Sequence, residues 1–182
     1  MIYDHLYQST KTNGAMKKIF LPLCFLLILQ GFAKAQTSWL DYKIDSKLSV
    51  KVPSTPTATD EYSVIAKGDN SFVCVITKID MQKVAGLDSA ALAGLAPSAE
   101  FASSLKVGMQ QKMDGFTLGD VKTGKWNNYY SYQIEGANTT SKVKSFTFMI
   151  IVGNYLYSIS AVMPDDQNAQ PKDDFFASLK LN

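Results

Sequence analysis

The chain has 182 residues, of which 46% are hydrophobic, and its 18 basic residues are all lysine, for a formal net charge of +2. Four of these lysines and Asp4 precede a predicted cleavage site after Ala35, so the mature chain carries a net charge of −1. A nearly neutral chain without arginine lacks the basic surface that nucleic-acid binding uses, which argues against nucleic acid as a partner.

Residues 16–36, MKKIFLPLCFLLILQGFAKAQ, have the pattern of a secretory signal peptide. Two lysines precede the apolar core 19–29, and small residues end the segment, which predicts cleavage after Ala35. The apolar core has eleven residues, whereas a membrane-spanning helix needs about 20, so we expect no membrane span after cleavage. Lipidation at Cys24 is the alternative, but the apolar core continues past this residue, and cleavage there would leave an apolar N-terminus.

The fifteen residues before Met16 do not fit this pattern, because a signal peptide begins with its charged segment. We therefore predict that translation starts at Met16 and that residues 1–15 are an upstream extension. Residues 16–35 are then the signal peptide, and residues 36–182 are a single exported domain, periplasmic or extracellular. Mass spectrometry of the exported protein should find Gln36 at its N-terminus, and a mature chain that retains residues 1–15 would contradict this prediction.

Removal of the leader leaves few residues suited to catalysis or metal binding. The one histidine, His5, is lost, and with it the usual general base and the commonest transition-metal ligand. Cys74 remains as the single cysteine, in the β-rich run SFVCVITKI, which predicts a buried structural thiol and no intramolecular disulfide. No Gly-x-Ser-x-Gly turn occurs in residues 36–182. We expect no catalytic residue, no cofactor and no metal site, and we predict that the protein is not an enzyme.

The first part of the exported domain is predicted to form three strands. Residues 47–52, KLSVKV, alternate polar with apolar side chains, which is the period of a half-buried strand, and Pro53 ends the run. Residues 62–66 and 71–79 are strand-like runs separated by KGDN, whose Gly, Asp and Asn are typical of a hairpin. We expect these three strands to form a meander.

Two helices are predicted next. Asp88 can cap a short helix that reaches Gly94, because its carboxylate can accept from exposed N–H groups at the helix start. Pro97 suits the first turn of a longer helix that ends near Met113. An apolar residue recurs every four positions in this helix, so the resulting stripe should pack on a sheet. The stripe consists of Phe101, Leu105, Met109 and Met113.

Four further strands are predicted, at roughly 116–123, 126–135, 142–152 and 155–163. Gly153-Asn154 separates the last two, and a two-residue loop that contains glycine is a strong signal of a tight hairpin. The strand 142–152 is apolar on both faces near its end, which predicts a central strand covered on both sides. Its two apolar faces are Phe146, Phe148, Ile150 and Val152 on one side and Met149 and Ile151 on the other.

The C-terminal segment PDDQNAQPKDDFFASL is interpreted as a solvated turn followed by a helix over 171–179. Its carboxylates could suggest a calcium site, but the regular alternation and the distal Glu of an EF-hand loop are missing. Asp173 and Asp174 complement the dipole at the start of the helix. Phe175, Phe176 and Leu179 should face the core.

The aromatic stretch WNNYYSYQI, residues 126–134, is the other segment to weigh as a binding site. Strand alternation divides it into a core face and an outer face. The core face carries Trp126, Tyr130, Tyr132 and Ile134, and the outer face carries Asn127, Tyr129, Ser131 and Gln133. Tyr129 is therefore the possible exposed binding aromatic, although single exposed aromatic residues are ordinary on protein surfaces.

This succession of features resembles the PsbP-like fold family. The resemblance rests on Trp39, the strand ending in Val52-Pro53, the central helix, MDGFTLGDVKTGKWNNYYSYQI, the hairpin IVGNYLYSISAVM and the final FFASLKL. The family includes the extrinsic photosystem II protein, a yeast Ran-binding nuclear import factor and DcrB-type bacterial envelope proteins. The resemblance implies an α+β fold, in which an antiparallel sheet of about six to seven strands is covered by helices in an α/β/α sandwich.

The resemblance also implies non-enzymatic work as a binding or assembly accessory, and for this chain we expect another envelope protein as the partner. It transfers no site residues, because the metal-binding histidines associated with the photosynthetic members have no counterpart here. An exported bacterial-type chain also has no access to Ran. The alternative function is a small-molecule or lipid carrier, with a pocket between the sheet and the central helix that bears Phe101, Leu105 and Met109.

Overall fold

In the computed structural model, which describes residues 39–182, the chain forms two antiparallel sheets and four helices. The predicted upstream extension and signal peptide lie outside the described residues. The strands are β1 Leu40–Lys43, β2 Leu48–Val52, β3 Thr57–Ala58, β4 Ser63–Lys67, β5 Val73–Asp80, β6 Thr117–Leu118, β7 Lys122–Trp126, β8 Tyr129–Asn138, β9 Val143–Val152, β10 Tyr155–Pro164 and β11 Lys180–Leu181. The helices are α1 Met81–Ala85, α2 Ser89–Leu95, α3 Ala99–Gln110 and α4 Gln170–Ala177.

The larger sheet has eight strands in the order β3-β4-β5-β10-β9-β8-β6, with β7 also paired to β8. β9 lies between β10 and β8, which confirms the central position predicted for a strand that is apolar on both faces. The β9–β10 hairpin turns at Gly153-Asn154, as the sequence predicts, and Gly153 has a positive φ of 65°. The large antiparallel sheet therefore confirms the α+β class.

One side of the larger sheet, which we call the α3 face, is covered by α2 and α3. Tyr132 is fully buried there, and its hydroxyl donates to the carbonyl of Ala96 at 2.7 Å. The predicted helical stripe packs on this face, with the ring of Phe101 at 5.8 Å from that of Tyr132. Met149 and Ile151 of β9 complete this core.

The opposite side, which we call the α4 face, is covered by α4 and by a second sheet of three strands in the order β1-β2-β11. Phe175 is fully buried at its centre, as predicted, and contacts the rings of Trp39 and Phe72 at 6.2 and 6.4 Å. Each large apolar side chain buried in this way contributes about 2 kcal/mol to folding. The final predicted helix is confirmed as an element that closes the core, but it ends at Ala177, so the buried Leu179 follows the helix instead of lying in it.

The predicted meander is wrong in its first strand. β4 and β5 do form a hairpin, but β2 pairs with β1 and β11 and belongs to the smaller sheet. The apolar side chains of β2 are buried against the α4 face of the larger sheet, so this strand forms a second layer. The alternating pattern of residues 47–52 predicts a strand, but it contains no information on which strand lies beside it.

The two predicted helices exist, and the longer one begins later than expected. Asp88 caps α2 by accepting from the N–H of Ala91 at 2.8 Å. Ser98 caps α3 in the same way, with its hydroxyl oxygen accepting from the N–H of Phe101 at 3.1 Å. Pro97 therefore precedes the cap residue and does not lie in the first helical turn.

The chain also leaves α3 earlier than expected, at Gln110, and the predicted strand 116–123 is divided into β6 and β7. The side-chain amide of Gln110 donates to the carbonyl of Phe116 at 2.7 Å, which ties the end of α3 to the return of the chain. The N–H of Gly119 donates to the carbonyl of Glu135 at 2.8 Å, and residues 119–121 then leave the sheet.

The predicted strand 126–135 is wrong at its start, because a tight turn interrupts it. Asn127 and Asn128 have φ values of 46° and 68°, the left-handed conformation that a type I′ hairpin turn requires and that asparagine tolerates. Trp126 therefore ends β7 and pairs with Tyr129, which begins β8. The rings of Trp126 and Tyr129 pack on the α4 face, whereas the alternation in the sequence predicts that Trp126 shares a face with Tyr132.

Candidate functional site

A groove of about 300 Å³ lies on the α4 face between α4 and the strands β7, β8 and β9. We call it the aromatic groove. The register of the sheet builds its floor, because Gln133 and Glu135 of β8 lie opposite Phe148 and Phe146 of β9. Alternate side chains of a strand share one face, so all four of these residues project towards α4.

Four aromatic rings bound the groove: Trp126, Phe146, Phe148 and Phe176. All four are partly buried, so each ring packs against the core and keeps some surface open to the groove. The rings of Trp126 and Phe148 meet edge to face, with 6.3 Å between their centroids and 75° between their planes. The groove therefore has stiff aromatic walls that are held in place by the core behind them.

The charged side chains around the aromatic groove are paired with one another. The ammonium of Lys122 lies 3.3 Å from the carboxylate of Glu135, and Lys172 pairs with Asp173. The Lys172 ammonium also lies 4.9 Å from the centre of the Phe146 ring, in a cation–π contact. Two ion pairs leave these four residues with no net charge, so they favour neither an anion nor a cation.

A second depression of about 240 Å³ adjoins the aromatic groove and shares Glu135 and Phe146 with it. We call it the side hollow. Gly119 and Ala137 line it with little or no side chain, and Lys144 lies at its far end, where its ammonium donates to the carbonyl of Asp165 at 3.2 Å. From Gln133 to Ala137 the two depressions follow β8 for four residue steps, which is about 13 Å.

A separate polar cluster joins the smaller sheet to the larger one. The carboxylate of Asp45 accepts from the Tyr157 hydroxyl at 2.6 Å and lies 2.7 Å from the ammonium of Lys78. It also accepts from the N–H groups of Lys47 and Leu48 at 2.7 and 3.1 Å. This arrangement links the β1–β2 turn to β5 and β10.

The electrostatics of this cluster favour a fixed anion. Burial opposes ionisation of Asp45, but the bonds from Lys78, Tyr157 and the two backbone N–H groups outweigh it and lower the pKa of Asp45 to about 2. Burial, together with the bond to Asp45, raises the pKa of Tyr157. At neutral pH the carboxylate is ionised and the phenol is protonated, so neither group is poised to exchange a proton, and the cluster is a structural link.

The sequence singles out Tyr129 as a possible exposed binding residue and Cys74 as a buried thiol. Tyr129 is partly buried against the core of the α4 face, and its binding role remains a prediction. Cys74 is fully buried, which confirms the predicted structural thiol, and burial raises its pKa to about 12. Among residues 39–182, no three Asp, Glu, His or Cys side chains lie close enough together to hold a metal ion.

The aromatic groove was not predicted from the sequence, and it lies on the opposite face of the sheet from Phe101, Leu105 and Met109. One signal could have indicated part of it. Phe146 and Phe148 share one face of β9, and the polar residues Gln133 and Glu135 share one face of β8. This alternation indicates a partly open surface that has aromatic side chains on β9 and polar side chains on β8. The position of α4, which supplies the other wall, is not evident from any local pattern.

No protein-family model matches the chain, and no curated protein matches it in sequence. Solved structures do match the fold. The solution structure of cyanobacterial PsbP (CyanoP) from Synechocystis sp. PCC 6803 aligns with a TM-score of 0.53 and 9% identity, over 82% of this chain and 96% of that one. A likeness at this level of identity shows the fold, which is therefore PsbP-like, as the sequence predicts.

Two further structures align with lower scores. A crystal structure from Bacteroides thetaiotaomicron VPI-5482 has a TM-score of 0.38 and 14% identity, over 74% of this chain and 45% of that one. A protein of unknown function from Pseudomonas aeruginosa has a TM-score of 0.43 and 12% identity, over 74% of this chain and 90% of that one.

Within residues 39–182, no helix is both long enough and apolar enough to cross a bilayer.

Proposed function

We propose that this protein is exported and acts, without catalysis, as a binding or assembly accessory in the cell envelope. Its partner is another envelope protein, and its location is periplasmic or extracellular. The signal-peptide pattern of residues 16–35 supports export, and the PsbP-like fold supports an accessory role. The export signal and the fold are both compatible with a protein that acts by binding a partner at its surface.

The proposal rests on the aromatic groove and on the pairing of the charged side chains around it. Its walls are partly open aromatic rings on a sheet and a helix, so they present apolar contact area at fixed positions. Its nearby charged groups are engaged in the Lys122–Glu135 and Lys172–Asp173 ion pairs. Such a surface offers apolar contact area at fixed positions, which favours recognition of a partner.

Two assays on the purified exported protein test the proposal. Affinity isolation from envelope extracts should recover a specific protein, and the variant Trp126→Ala should lose it, because the indole forms one wall of the groove. Val107→Ala is the matched control, since Val107 is 55% exposed on α3 and should have no effect. A panel of hydrolase and transferase substrates should show no turnover.

Three results would contradict the proposal. Turnover that persists after exhaustive purification would indicate an enzyme. Recovery of no protein under mild crosslinking would remove the accessory role. A small molecule that co-purifies with the protein in native mass spectrometry would instead favour the carrier function.

A further inference from the structure

The larger sheet has an open edge at β7, beside the aromatic groove, because Trp126 ends this strand and forms one wall of the groove. We propose that β7 accepts an extended segment of the partner protein as an additional strand, and that this segment carries carboxylates opposite the two lysines of β7. This inference rests on the proposed binding function and names the way in which the partner is recognised.

The register of the β7–β8 hairpin shows which main-chain groups of β7 are free. Trp126 and Tyr129 flank a two-residue turn, so they exchange hydrogen bonds, and every second residue back along β7 does the same with β8. The N–H and C=O groups of Thr123 and Lys125 therefore point away from β8. Within residues 39–182, neither residue makes a backbone hydrogen bond outside this hairpin. Such a row of outward donors and acceptors is a template for another strand.

The opposite edge of the same sheet is protected. β3 has only two residues and follows Pro56. The hydroxyl of Ser54 accepts from the N–H of Lys67 at 3.1 Å, which occupies a main-chain donor of β4. β7, in contrast, has five residues without a proline, and its first four are exposed. The edge that is open to strand addition is therefore the one beside the aromatic groove.

The charge on β7 favours an acidic segment over a second copy of this chain. Lys122 and Lys125 both belong to β7, which has no acidic residue of its own. The ammonium of Lys125 lies 5.1 Å from the centre of the Tyr130 ring and has no ion-pair partner within the described residues. Lys122 pairs with Glu135, but both side chains are exposed and the pair is screened by water. Two copies of β7 side by side would bring four ammonium groups together, whereas opposite charges across neighbouring strands stabilise their pairing.

Gly124 leaves space for a side chain of the added strand. It lies between Lys122 and Trp126 on the α4 face, opposite Ser131 of β8. A Cβ at this position would meet only the Ser131 hydroxyl oxygen, at 3.7 Å, and the φ of Gly124 is not positive, so the fold itself does not require glycine here. Glycine inside a strand weakens it and often marks the close approach of another chain. A large apolar side chain opposite Gly124 would lie beside the ring of Trp126.

The test is an NMR titration of the exported, isotope-labelled protein with the capped peptide Thr-Glu-Phe-Thr-Glu. In antiparallel pairing its phenylalanine lies opposite Gly124, and its two glutamates lie opposite Lys125 and Lys122. The amide protons of Thr123 and Lys125 should shift to lower field until they saturate, because they gain hydrogen-bond acceptors. The amide proton of Val107, which is exposed on α3, should not shift.

Two altered peptides test the two parts of the inference on the unaltered protein. N-methylation of the second and fourth residues removes the N–H groups that face β7, and this peptide should not bind. Replacing both glutamates with lysine turns two cross-strand attractions into repulsions, and this peptide should bind roughly tenfold more weakly.

A variant of the protein separates strand addition from other contacts. Thr123→Pro removes one outward N–H and no bond to β8, and an edge strand tolerates proline at such a position, so the fold should be kept. It should weaken binding of the first peptide roughly tenfold, which corresponds to the loss of one hydrogen bond. Thr123→Val, which keeps the N–H, is the matched control, and its affinity should stay close to that of the unaltered protein.

The inference is overturned if the amide protons of Thr123 and Lys125 do not shift, if either altered peptide binds as tightly as the first, or if Thr123→Pro binds as tightly as Thr123→Val. A dimer seen in sedimentation and abolished by Thr123→Pro would also overturn it, because a second copy would then occupy the edge. Its failure can be separated from failure of the proposed function. Recovery of one envelope protein by the unaltered protein and by Thr123→Pro alike would overturn strand addition and leave the accessory role intact.

Discussion

Asp45 shows how one carboxylate can connect two layers of this protein. Its oxygens bind Lys78, Tyr157 and two backbone N–H groups, and its side chain is 16% exposed, so the interactions are only weakly screened by water. Asp45→Asn removes the charge and leaves the Lys78 ammonium without its partner. We expect the free energy of unfolding in urea to fall by about 2 kcal/mol.

The control for this change is Asp41→Asn. Asp41 lies 3.7 Å from Lys180, and both side chains are more than half exposed, so the pair contributes little. An equal loss of stability in the two variants would contradict the structural link at Asp45.

The same residue predicts a dependence on acid. The pKa of Asp45 is about 2 in the folded protein against 3.8 for an ordinary aspartate, so its ionised form stabilises the fold. This stabilisation is fully present above about pH 4 and is lost as the pH falls through about 2. The free energy of unfolding of the native protein should therefore decline more steeply between pH 4 and pH 2 than that of Asp45→Asn. Parallel declines measured by urea denaturation would show that Asp45 is not the group responsible.

Cys74 supplies a second prediction at this scale. The thiol is fully buried and burial raises its pKa to about 12, so it has neither access to reagents nor an appreciable thiolate fraction at neutral pH. Ellman's reagent should react with the folded exported protein only as fast as the fold opens, and with the urea-unfolded protein at once. Rapid reaction without denaturant would contradict the burial of this side chain.

At the level of elements, the Asn127-Asn128 turn positions the groove, because it folds Trp126 back beside Tyr129 on the α4 face. Asn128 has φ 68°, a conformation that costs a β-branched residue about 1–2 kcal/mol and costs glycine little. Asn128→Val should lower stability by that amount in thermal unfolding, while Asn128→Gly should not. A loss of stability in Asn128→Gly, together with no loss in Asn128→Val, would contradict the turn geometry.

Local patterns were sufficient for most elements. The Asp88 cap and the Gly153-Asn154 hairpin depend on residues that are neighbours in the chain, and the structure confirms both. The central position of β9 follows from apolar residues on both of its faces, and the structure confirms it as well. The pairing of β2 with β1 and β11 could not be predicted, because strands 4, 5 and 2 residues long carry no unique mark of their partners. The turn at Asn127-Asn128 was missed because the residues on both sides fit one continuous alternation.

At the level of the whole molecule, the two faces of the larger sheet differ in how they are covered. The α3 face is closed by a helical stripe that the sequence predicts, whereas the α4 face is covered by elements from both ends of the described chain. The aromatic groove lies where α4 meets β7, β8 and β9, so residues about 40 positions apart in the chain, such as Gln133 and Phe176, line the same groove. Such a site appears only when the tertiary structure is known.

The most direct test of the binding function is site-specific photocrosslinking in living cells. Benzoylphenylalanine placed at Gln133 or Lys122, both exposed beside the aromatic groove, should capture one envelope protein that mass spectrometry then identifies. The same probe at Val107 or Val84, which are exposed on α3 and α1, should not capture it. Capture of the same protein from all four positions, or of none from the groove, would contradict the account.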